Sequence, residues 1–375
     1  MRILVGMPEE GAQGGPGACE PPFIDELRQS GHEVEEEVYV YAKVNVGLRS
    51  RAERVLKTAR VFRKRLRERD FDLVHINTSF DTKALLRDAT IVPRLRFNQT
   101  KVFLKFHGSD GALLERSNPA LAALIRRVLS HADGIGVLSS EERENFLRAG
   151  IPENKVSVVK NVVEVDTAQR NTEFLRHWNL PADRPLLLFI GRFIPAKGLL
   201  DVIKACGLGR DAGQNFLLLC VGDGPQRAEA EDLVVHQRLS PWVRFFGYIP
   251  EQETRQFYAN SHALLFPTYH IEGFPMVIFN AAANGLPIIT TRIRAAADYL
   301  RDPDNCRWVE PRNPEMLAAK IVELVENPEL RSAMALQNRE LAQKFTADVV
   351  APEYLSIYRQ LIAEKAEPAR TSRDS

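Results

Sequence analysis

The stretch PTYHIEGFPMVIFNAAANGLPIITT, residues 267–291, carries a loop, a helix and a strand in close succession. The apolar run 263–266 before it predicts another strand, which ends at Pro267. Residues 276–284 predict a helix, because Pro275 stands ahead of its first turn and Gly285 stands where helices commonly end. Residues 286–290 predict the next strand. This order is typical of a parallel sheet covered by helices.

The loop that holds Glu272-Gly273-Phe274-Pro275 follows a predicted strand directly. In open α/β sheets, ligands bind at the carboxyl ends of the strands. The helix that begins after this loop directs backbone N–H groups and a partial positive charge toward the same place. The stretch therefore favours a site for a phosphate-bearing ligand.

Bulk composition limits the class of protein. A chain of 375 residues is long enough for two domains, and a net charge of +1 gives no strong field for nucleic acid. The four cysteines lie far apart, without the spacing of a disulfide framework or zinc site, which favours a reducing cytosol. The first residues form a strand pattern rather than a signal peptide, and no run of about 18 apolar residues occurs. We therefore expect a cytoplasmic globular protein.

The N-terminal residues predict the opening of a doubly wound sheet. A strand at 3–7 is followed by a glycine-rich loop at 8–22, a helix at 23–30 and a strand within 32–41. The loop does not satisfy the G-x-G-x-x-G dinucleotide pattern, so a flexible loop without a ligand is an alternative interpretation. Strands at 71–77, 101–106, 134–138 and 156–163 continue this sheet, and a second set starts at 186–190.

Two further loops carry candidate chemistry. His107 follows the strand at 101–106, which predicts either an active-site histidine or a histidine bonded to backbone. Arg192 and Lys197 stand five apart, between Gly191 and Gly198, in the loop after the strand at 186–190. Fixed cations at a strand end suit a diphosphate whose charge increases as it leaves. A turn with surface cations is the alternative.

Residues 48–70 predict an amphipathic helix with a strongly basic outer face. It has ten basic residues and three acidic ones, with apolar residues at helical spacing. The face predicts either a solvated surface or contact with anionic lipid or an anionic acceptor. The candidate contact residues are Arg60, Arg63, Lys64 and Arg67.

These motifs, in this order, resemble the family 4 retaining glycosyltransferases. Glu272 matches the first glutamate of their E-x7-E motif, and residues 191–198 match their G-R-x(4)-K-G pattern. The resemblance implies an α/β chain of the GT-B fold, with two Rossmann-like doubly wound domains facing a central cleft. It also implies transfer of a sugar from a nucleotide-diphosphate-sugar donor to a glycan or lipid-linked acceptor, with no metal and no cofactor. Such an enzyme would serve cell-surface polysaccharide or glycolipid synthesis, in the cytoplasm or at the inner face of the membrane.

The resemblance assigns roles to individual residues. His107, Arg192, Lys197 and Glu272 are the implied catalytic residues. The implied donor-binding residues are Gly14, Gly15, Gly191, Asp223, Gly247, Tyr248, Gly273, Phe274, Pro275 and Asn280. For Asp223, a plain strand-to-helix turn is the alternative.

Asn280 departs from the family pattern, since it stands where the second glutamate normally binds the ribose hydroxyls. An amide oxygen is a weaker acceptor than a carboxylate. Three interpretations follow: a weaker grip on ribose, a different donor, or a noncatalytic GT-B subunit that binds sugar nucleotide. A GT-B epimerase or phosphorylase is a further alternative.

The resemblance also implies the domain organisation. Residues 1–168 form an N-terminal acceptor-binding domain, and residues 169–348 form a C-terminal nucleotide-sugar domain. Residues 349–364 form a helix that crosses back to the N-terminal domain. The polar composition of residues 365–375 predicts a disordered tail.

Overall fold

The structure is a computed structural model that describes residues 1–9, 15–41, 47–115, 118–165 and 170–363. It divides into two compact units. The first contains Met1–Val162, Glu272–Phe274 and the described residues from Ala347 onward, and the second contains Val163–Ile271 and Pro275–Thr346. The predicted domain boundary at 168–169, the predicted tail and Gly14 lie outside the described residues.

A six-stranded parallel sheet, in the order β2-β1-β3-β4-β5-β6, forms the centre of the first unit. Its strands are β1 (Arg2–Pro8), β2 (Glu33–Val40), β3 (Leu73–Phe80), β4 (Lys101–Ser109), β5 (Gly134–Val137) and β6 (Val156–Val158). Its helices up to this point in the chain are α1 (Gly15–Gln29), α2 (Leu48–Glu68), α3 (Thr82–Leu95), α4 (Ala112–Glu115), α5 (Pro119–Leu129) and α6 (Ser140–Arg148). The strand order reverses direction between β1 and β3, and such a switch point is where open α/β sheets bind ligands.

The second unit repeats this plan with the strand order β12-β11-β10-β7-β8-β9. Its strands are β7 (Leu186–Ile190), β8 (Leu217–Val221), β9 (Val243–Gly247), β10 (Ala263–Phe266), β11 (Ile288–Thr290) and β12 (Cys306–Trp308). Its helices are α7 (Thr172–His177), α8 (Leu199–Asp211), α9 (Arg227–His236), α10 (Glu251–Asn260), α11 (Met276–Ala283), α12 (Arg294–Tyr299), α13 (Pro314–Glu326) and α14 (Pro328–Ala342). Here the switch point lies between β7 and β10.

The last described helix, α15 (Ala347–Ala363), belongs to the first unit although it follows the second in sequence. Its Tyr354 hydroxyl donates to the Lys160 carbonyl at 2.9 Å. Its Tyr358 hydroxyl lies 2.5 Å from Nδ1 of His75, a buried residue of β3. The helix therefore completes the core of the first unit. Among the described residues, none of the helices has the length and apolarity needed to cross a membrane.

Local sequence signals predicted several helix ends correctly. Pro275 is the N-cap of α11, and Gly285 after this helix has the left-handed φ of 69°. Ser139-x-x-Glu142 has the capping-box pattern, and at the start of α6 the Ser139 hydroxyl accepts a hydrogen bond from the Glu142 N–H at 3.2 Å. These residues form contacts within one or two helical turns, so neighbouring residues alone determine where the helix begins or ends.

The prediction of a glycine-rich loop over residues 8–22 is wrong in its extent. Helix α1 begins at Gly15, and Pro21 and Pro22 lie inside it. Because these prolines have no N–H groups, they donate no i→i−4 hydrogen bonds to the carbonyls of Gly17 and Ala18.

Two strand ends also differ from the prediction. Strand β4 continues through Ser109, which pairs with Phe80 of β3, so His107 lies within the strand rather than in a loop. Strand β6 ends at Val158 instead of residue 163, because the backbone N–H of Val163 donates to Phe345 in the second unit at 2.9 Å.

Candidate active site

Two neighbouring loops meet at the switch point of the second unit. One follows β7 and contains Arg192 and Lys197, and the other follows β10. The backbone N–H of Tyr269 and the hydroxyl of Thr268 both donate to the Ala196 carbonyl, at 2.8 and 3.2 Å. The stretch 267–271 is thereby fixed to the turn that holds Lys197.

Glycines allow these loops to approach one another closely. Gly198 has a φ of 78°, and a Cβ atom there would lie 2.7 Å from the Pro267 carbonyl oxygen. A Cβ atom on Gly222 would lie 1.9 Å from the Gly191 carbonyl oxygen. At both positions a side chain would clash with a backbone carbonyl oxygen, so only glycine fits. Glycines at these positions thus allow the loops after β7, β8 and β10 to lie against one another.

Lys197 is buried beside a second cation. Lys197 is only 6% exposed, and its ammonium lies 5.0 Å from the centre of the Phe266 ring. Burial, together with the nearby Arg192 guanidinium, lowers the pKa of Lys197 to about 7. Arg192 itself is exposed. The pair is therefore suited to an anionic ligand, which would relieve the repulsion between the two cations.

His270 lies beside these two cations and was not predicted from the sequence. Burial lowers its pKa, and Lys197 and Arg192 lower it further. Its Nδ1 atom is buried and has no hydrogen-bond partner among the described residues. A neutral imidazole therefore lies beside the two cations at this end of β7 and β10.

The predicted residues Glu272, Gly273 and Phe274 pack with the first unit. A Cβ atom on Gly273 would lie 3.3 Å from the Gly108 Cα atom and 3.2 Å from Oε2 of Glu142. Glycine at position 273 therefore allows the Glu272 segment to lie directly beside the residue that follows His107. The structure thus brings these two predicted elements together.

His107 is held by side chains rather than by backbone. Its side chain is 7% exposed, its Nε2 lies 2.7 Å from Oδ1 of Asn77, and the same atom lies 3.6 Å from Oε1 of Glu20. Burial and the charge of Lys105 lower the pKa of His107 to about 3, although Glu20 opposes them. The imidazole is therefore neutral at physiological pH.

A buried ion pair lies beside His107. The Lys105 ammonium contacts Oε1 of Glu20 at 2.5 Å, and the two side chains are 2% and 0% exposed. Cys19, Glu20 and His107 also place potential ligand atoms within 4.8 Å of one another, as a metal site would. However, Lys105 already neutralises Glu20 and would repel a divalent cation, and burial raises the pKa of the Cys19 thiol. The arrangement favours an ion pair over a metal site.

Several predicted donor-binding residues have structural tasks. Asp223 forms an ion pair with Arg227 at 3.1 Å and accepts from the Gly224 N–H at 2.7 Å, as the alternative of a plain turn implies. Gly247 has a φ of 73°, and its carbonyl accepts from the Gly222 N–H at 2.7 Å. Tyr248 is 59% exposed, and its role in holding a nucleobase stays a prediction. Gly15 is the first residue of α1.

Asn280, the departure from the family motif, has a partner within the second unit. Burial raises the pKa of the Tyr258 hydroxyl, and a hydrogen bond with the Asn280 side chain opposes this rise. The Asn280 carbonyl accepts from the side-chain amide of Asn284 at 2.9 Å. The asparagine is therefore integrated into the helix packing, and its contact with ribose stays a prediction.

The basic helix α2 is only partly available to a partner. Arg63 donates to the Arg94 carbonyl at 3.3 Å and lies over the Phe97 ring, so it has a structural task. Lys64 lies 3.6 Å from Glu68. Arg60 and Arg67 are exposed. Of the four predicted contact residues, Arg60 and Arg67 are thus the exposed ones without such a contact on the helix surface described above, and their contact with an anionic surface stays a prediction.

Sequence reasoning missed Glu20, Asn77 and Lys105. One signal was present: Lys105 interrupts the apolar strand KVFLKF, and a lysine in a strand buried on both faces requires a buried anionic partner. The sequence does not show that this partner is Glu20, because the two residues lie 85 positions apart.

Comparisons with known proteins agree with this geometry. Residues 23–167 match the family model described as glycosyltransferase family 4, and residues 171–341 match the model described as glycosyl transferases group 1. The chain is 29% identical to an uncharacterized glycosyltransferase of Methanocaldococcus jannaschii, over 77% of this chain and 76% of that protein. It is 31% identical to the lipopolysaccharide core biosynthesis glycosyltransferase LpsE of Rhizobium meliloti, over 54% of this chain and 55% of that protein.

Solved structures share the fold. Sucrose-phosphate synthase from Thermosynechococcus elongatus superposes with a TM-score of 0.75 at 21% identity, covering 97% of this chain and 99% of that one. The Anabaena protein HepE, in complex with UDP-glucose, superposes with a TM-score of 0.71 at 20% identity, covering 97% of this chain and 98% of that one. The two adjacent family matches and the two six-stranded sheets lead to one conclusion: the chain belongs to the family 4, group 1 glycosyltransferases of the GT-B fold.

Proposed function

We propose that this glycosyltransferase moves a sugar from a nucleoside-diphosphate sugar to a glycan or lipid-linked acceptor, with retention of anomeric configuration, in polysaccharide or glycolipid synthesis. The observation that carries the proposal is the pair of cations at the end of β7. Lys197 is buried at 6% exposure and Arg192 is its cationic neighbour, so an anion that enters there gains both charges in a poorly solvated place.

The remaining site residues support the same chemistry. The diphosphate would leave against Arg192 and Lys197, which supply charge stabilisation that other enzymes obtain from a metal ion. Glu272 would accept hydrogen bonds from hydroxyls of the transferred sugar, and His107 would contact the same sugar. A donor phosphate oxygen would take the proton from the acceptor on the face from which the diphosphate departs. The reaction proposed here is therefore independent of metal.

A calorimetric panel tests the donor class. We expect one of UDP, GDP, ADP and TDP to bind the full chain with micromolar Kd, and Arg192→Ala to weaken this binding at least tenfold, since a charge-assisted contact is lost. Arg176→Ala, at an exposed position of α7, is the matched control and should leave Kd unchanged. Asn280→Glu should tighten binding if ribose is held there. Failure of every nucleotide to bind would contradict the proposal and point to a sugar-phosphate or lipid-phosphate donor.

A noncatalytic sugar-nucleotide subunit is the second candidate, because Asn280 replaces the motif glutamate and bonds to Tyr258. Such a subunit would bind one nucleotide in the panel but would not release it from the matching sugar nucleotide when acceptor is present. An epimerase or phosphorylase would instead convert sugar without transferring it to an acceptor. Product analysis by mass spectrometry separates these outcomes.

We also propose that the exposed basic face of α2 contacts an anionic membrane surface. Each basic residue near such a surface contributes roughly 1 kcal/mol, and the attraction is screened by salt. We expect the chain to co-sediment with phosphatidylglycerol vesicles at low salt but not with phosphatidylcholine vesicles. The double variant Arg60→Glu/Arg67→Glu should abolish sedimentation, whereas Arg126→Glu, at an exposed position of α5, should not. Binding that is insensitive to salt and to these changes would refute a docking role for α2.

A further inference from the structure

The orientation of the buried Asn77 amide determines which ring nitrogen of His107 carries the proton. Asn77, on β3, is 2% exposed, and its Nδ2 donates to the Gly6 carbonyl of β1 at 3.3 Å. Its Oδ1 then faces Nε2 of His107 at 2.7 Å. Because an amide oxygen only accepts hydrogen bonds, Nε2 of His107 must carry the proton.

A second acceptor lies on the same side of the ring. Oε1 of Glu20 is 3.6 Å from Nε2 of His107, and Lys105 holds this oxygen at 2.5 Å. Nδ1 of His107, in contrast, is buried and has no partner in the described part of the chain. In a neutral ring protonated at Nε2, Nδ1 presents a lone pair. A buried acceptor without a hydrogen-bond partner destabilises the fold. We therefore expect Nδ1 to accept a hydrogen bond from a donor on the ligand.

We propose that Asn77 is a positioning residue that fixes His107 in the Nε2–H tautomer, so that Nδ1 accepts a hydrogen bond from a hydroxyl group of the transferred sugar. The inference rests on the proposed function, and it adds the atom and the polarity of the contact. A donor sugar that lacks this hydroxyl would leave Nδ1 unpaired, so Asn77 contributes to sugar specificity through His107.

The groups around the ring keep it neutral over the working range of pH. His107 faces Lys105 from its own strand, Glu20 from α1 and His75 from β3. Burial and Lys105 outweigh Glu20 and lower the pKa of His107 to about 3. The tautomer is consequently set by hydrogen bonds and not by titration between pH 5 and 9.

Nitrogen-15 NMR of the full chain, labelled at its eight histidines, tests the tautomer directly. His107→Gln assigns the signals by their disappearance. We expect His107 to show a protonated-type Nε2 shift and an unprotonated-type Nδ1 shift, both constant from pH 5 to 9. A protonated Nδ1, or an imidazolium at neutral pH, would overturn the inference.

Two substitutions connect the tautomer to activity. Asn77→Ala should give a mixture of tautomers and lower kcat/KM about tenfold, the size expected for one hydrogen bond. Asn77→Asp keeps an acceptor but adds a negative charge, which raises the pKa of His107 and protonates Nδ1 at low pH. For this variant, kcat/KM should therefore rise with increasing pH as Nδ1 is freed. Wild-type kcat/KM and pH profile in both variants would refute the role.

Thr78→Val is the matched control, since Thr78 is the next residue of β3 and its hydroxyl donates to Asp88 at 2.6 Å. It should lower stability without changing the His107 signals or the pH profile. The NMR result also separates this inference from the proposed function. If no nucleotide binds, the proposed function fails while the tautomer can still be read; if donor turns over but Nδ1 is protonated, only the inference fails.

Discussion

Replacement of Lys197 by alanine is expected to lower kcat/KM about 100- to 1,000-fold, the range seen when one preorganised charge or donor is removed from a transition state. Because Lys197 is only 6% exposed, solvent screens the attraction between its ammonium and a departing diphosphate only weakly. Steady-state transfer assays with the donor identified by calorimetry measure the effect. Lys197→Arg retains a charge and should recover part of the activity, although the guanidinium has a different shape.

The same lysine predicts a particular pH profile. Its pKa in the free protein is about 7, lowered by burial and by Arg192, and only the protonated form attracts the diphosphate. kcat/KM reports the free enzyme, so it should fall up to tenfold per pH unit above pH 7. In Lys197→Arg this fall should be absent. His270→Gln is the control: the pKa of His270 lies below its ordinary value, so its titration does not produce the fall above pH 7. A wild-type profile that is flat to pH 9 would contradict a charged role for Lys197.

The sequence predicted those features that depend on neighbouring residues. Pro275 and Gly285 mark the ends of α11 because a proline tolerates the first turn and a glycine adopts a left-handed φ, here 69°. The apolar runs at β7 and β10 identified central strands because a parallel sheet is covered on both faces. The spacing of Arg192 and Lys197 between glycines predicted that both lie in the loop after β7, while their contact with a diphosphate stays a prediction. Their close association with the loop after β10 follows from the strand order, which brings β7 beside β10.

Features that depend on distant residues could not be predicted in the same way. The start of α1 at Gly15 and the burial of Glu20 are decided together, since the helix must deliver a carboxylate to a lysine 85 residues away. Arg63 belongs to the basic pattern of α2 in sequence, yet it donates to carbonyls at the end of α3. The tautomer of His107 depends on Asn77, whose orientation depends in turn on a carbonyl of β1. The roles of these residues are defined only when the strands and helices of the first unit have packed together.

Substitution of Lys105 by methionine is expected to destabilise the first unit by about 3–5 kcal/mol, because the fully buried Glu20 would lose its partner. The cost is that of a stranded carboxylate and not of the lysine itself. The double variant Lys105→Met/Glu20→Gln should therefore regain most of the stability. Lys101→Met is the matched control: Lys101 begins the same strand and its ammonium is 3.9 Å from Asp133. Because Asp133 keeps its contact with Arg96 at 3.0 Å, this change strands no carboxylate and should cost less than Lys105→Met.

The measurement must separate the two units. All three tryptophans, Trp178, Trp242 and Trp308, lie in the second unit, so their fluorescence does not follow the first. Hydrogen exchange of β4 peptides, monitored by mass spectrometry across a urea series, reports the opening of the first unit. We expect β4 to open at lower urea in Lys105→Met while the tryptophan transition stays unchanged. Equal effects of Lys105→Met and Lys101→Met would contradict the stranded-carboxylate argument.

The pH dependence of stability tests whether the loss in Lys105→Met is electrostatic. In the wild-type protein burial alone would raise the pKa of Glu20, but Lys105, His75 and His107 together lower it to about 2. The pair therefore stabilises the fold at neutral pH, and its contribution is lost as the pH falls from about 4.5 toward 2. Without Lys105, burial raises the pKa of Glu20, and protonation at low pH removes the stranded charge. The stability difference between wild type and Lys105→Met should accordingly be largest near pH 7 and narrow at pH 4. A difference that stayed constant from pH 7 down to pH 4 would show that Lys105 stabilises the unit by packing rather than by its charge.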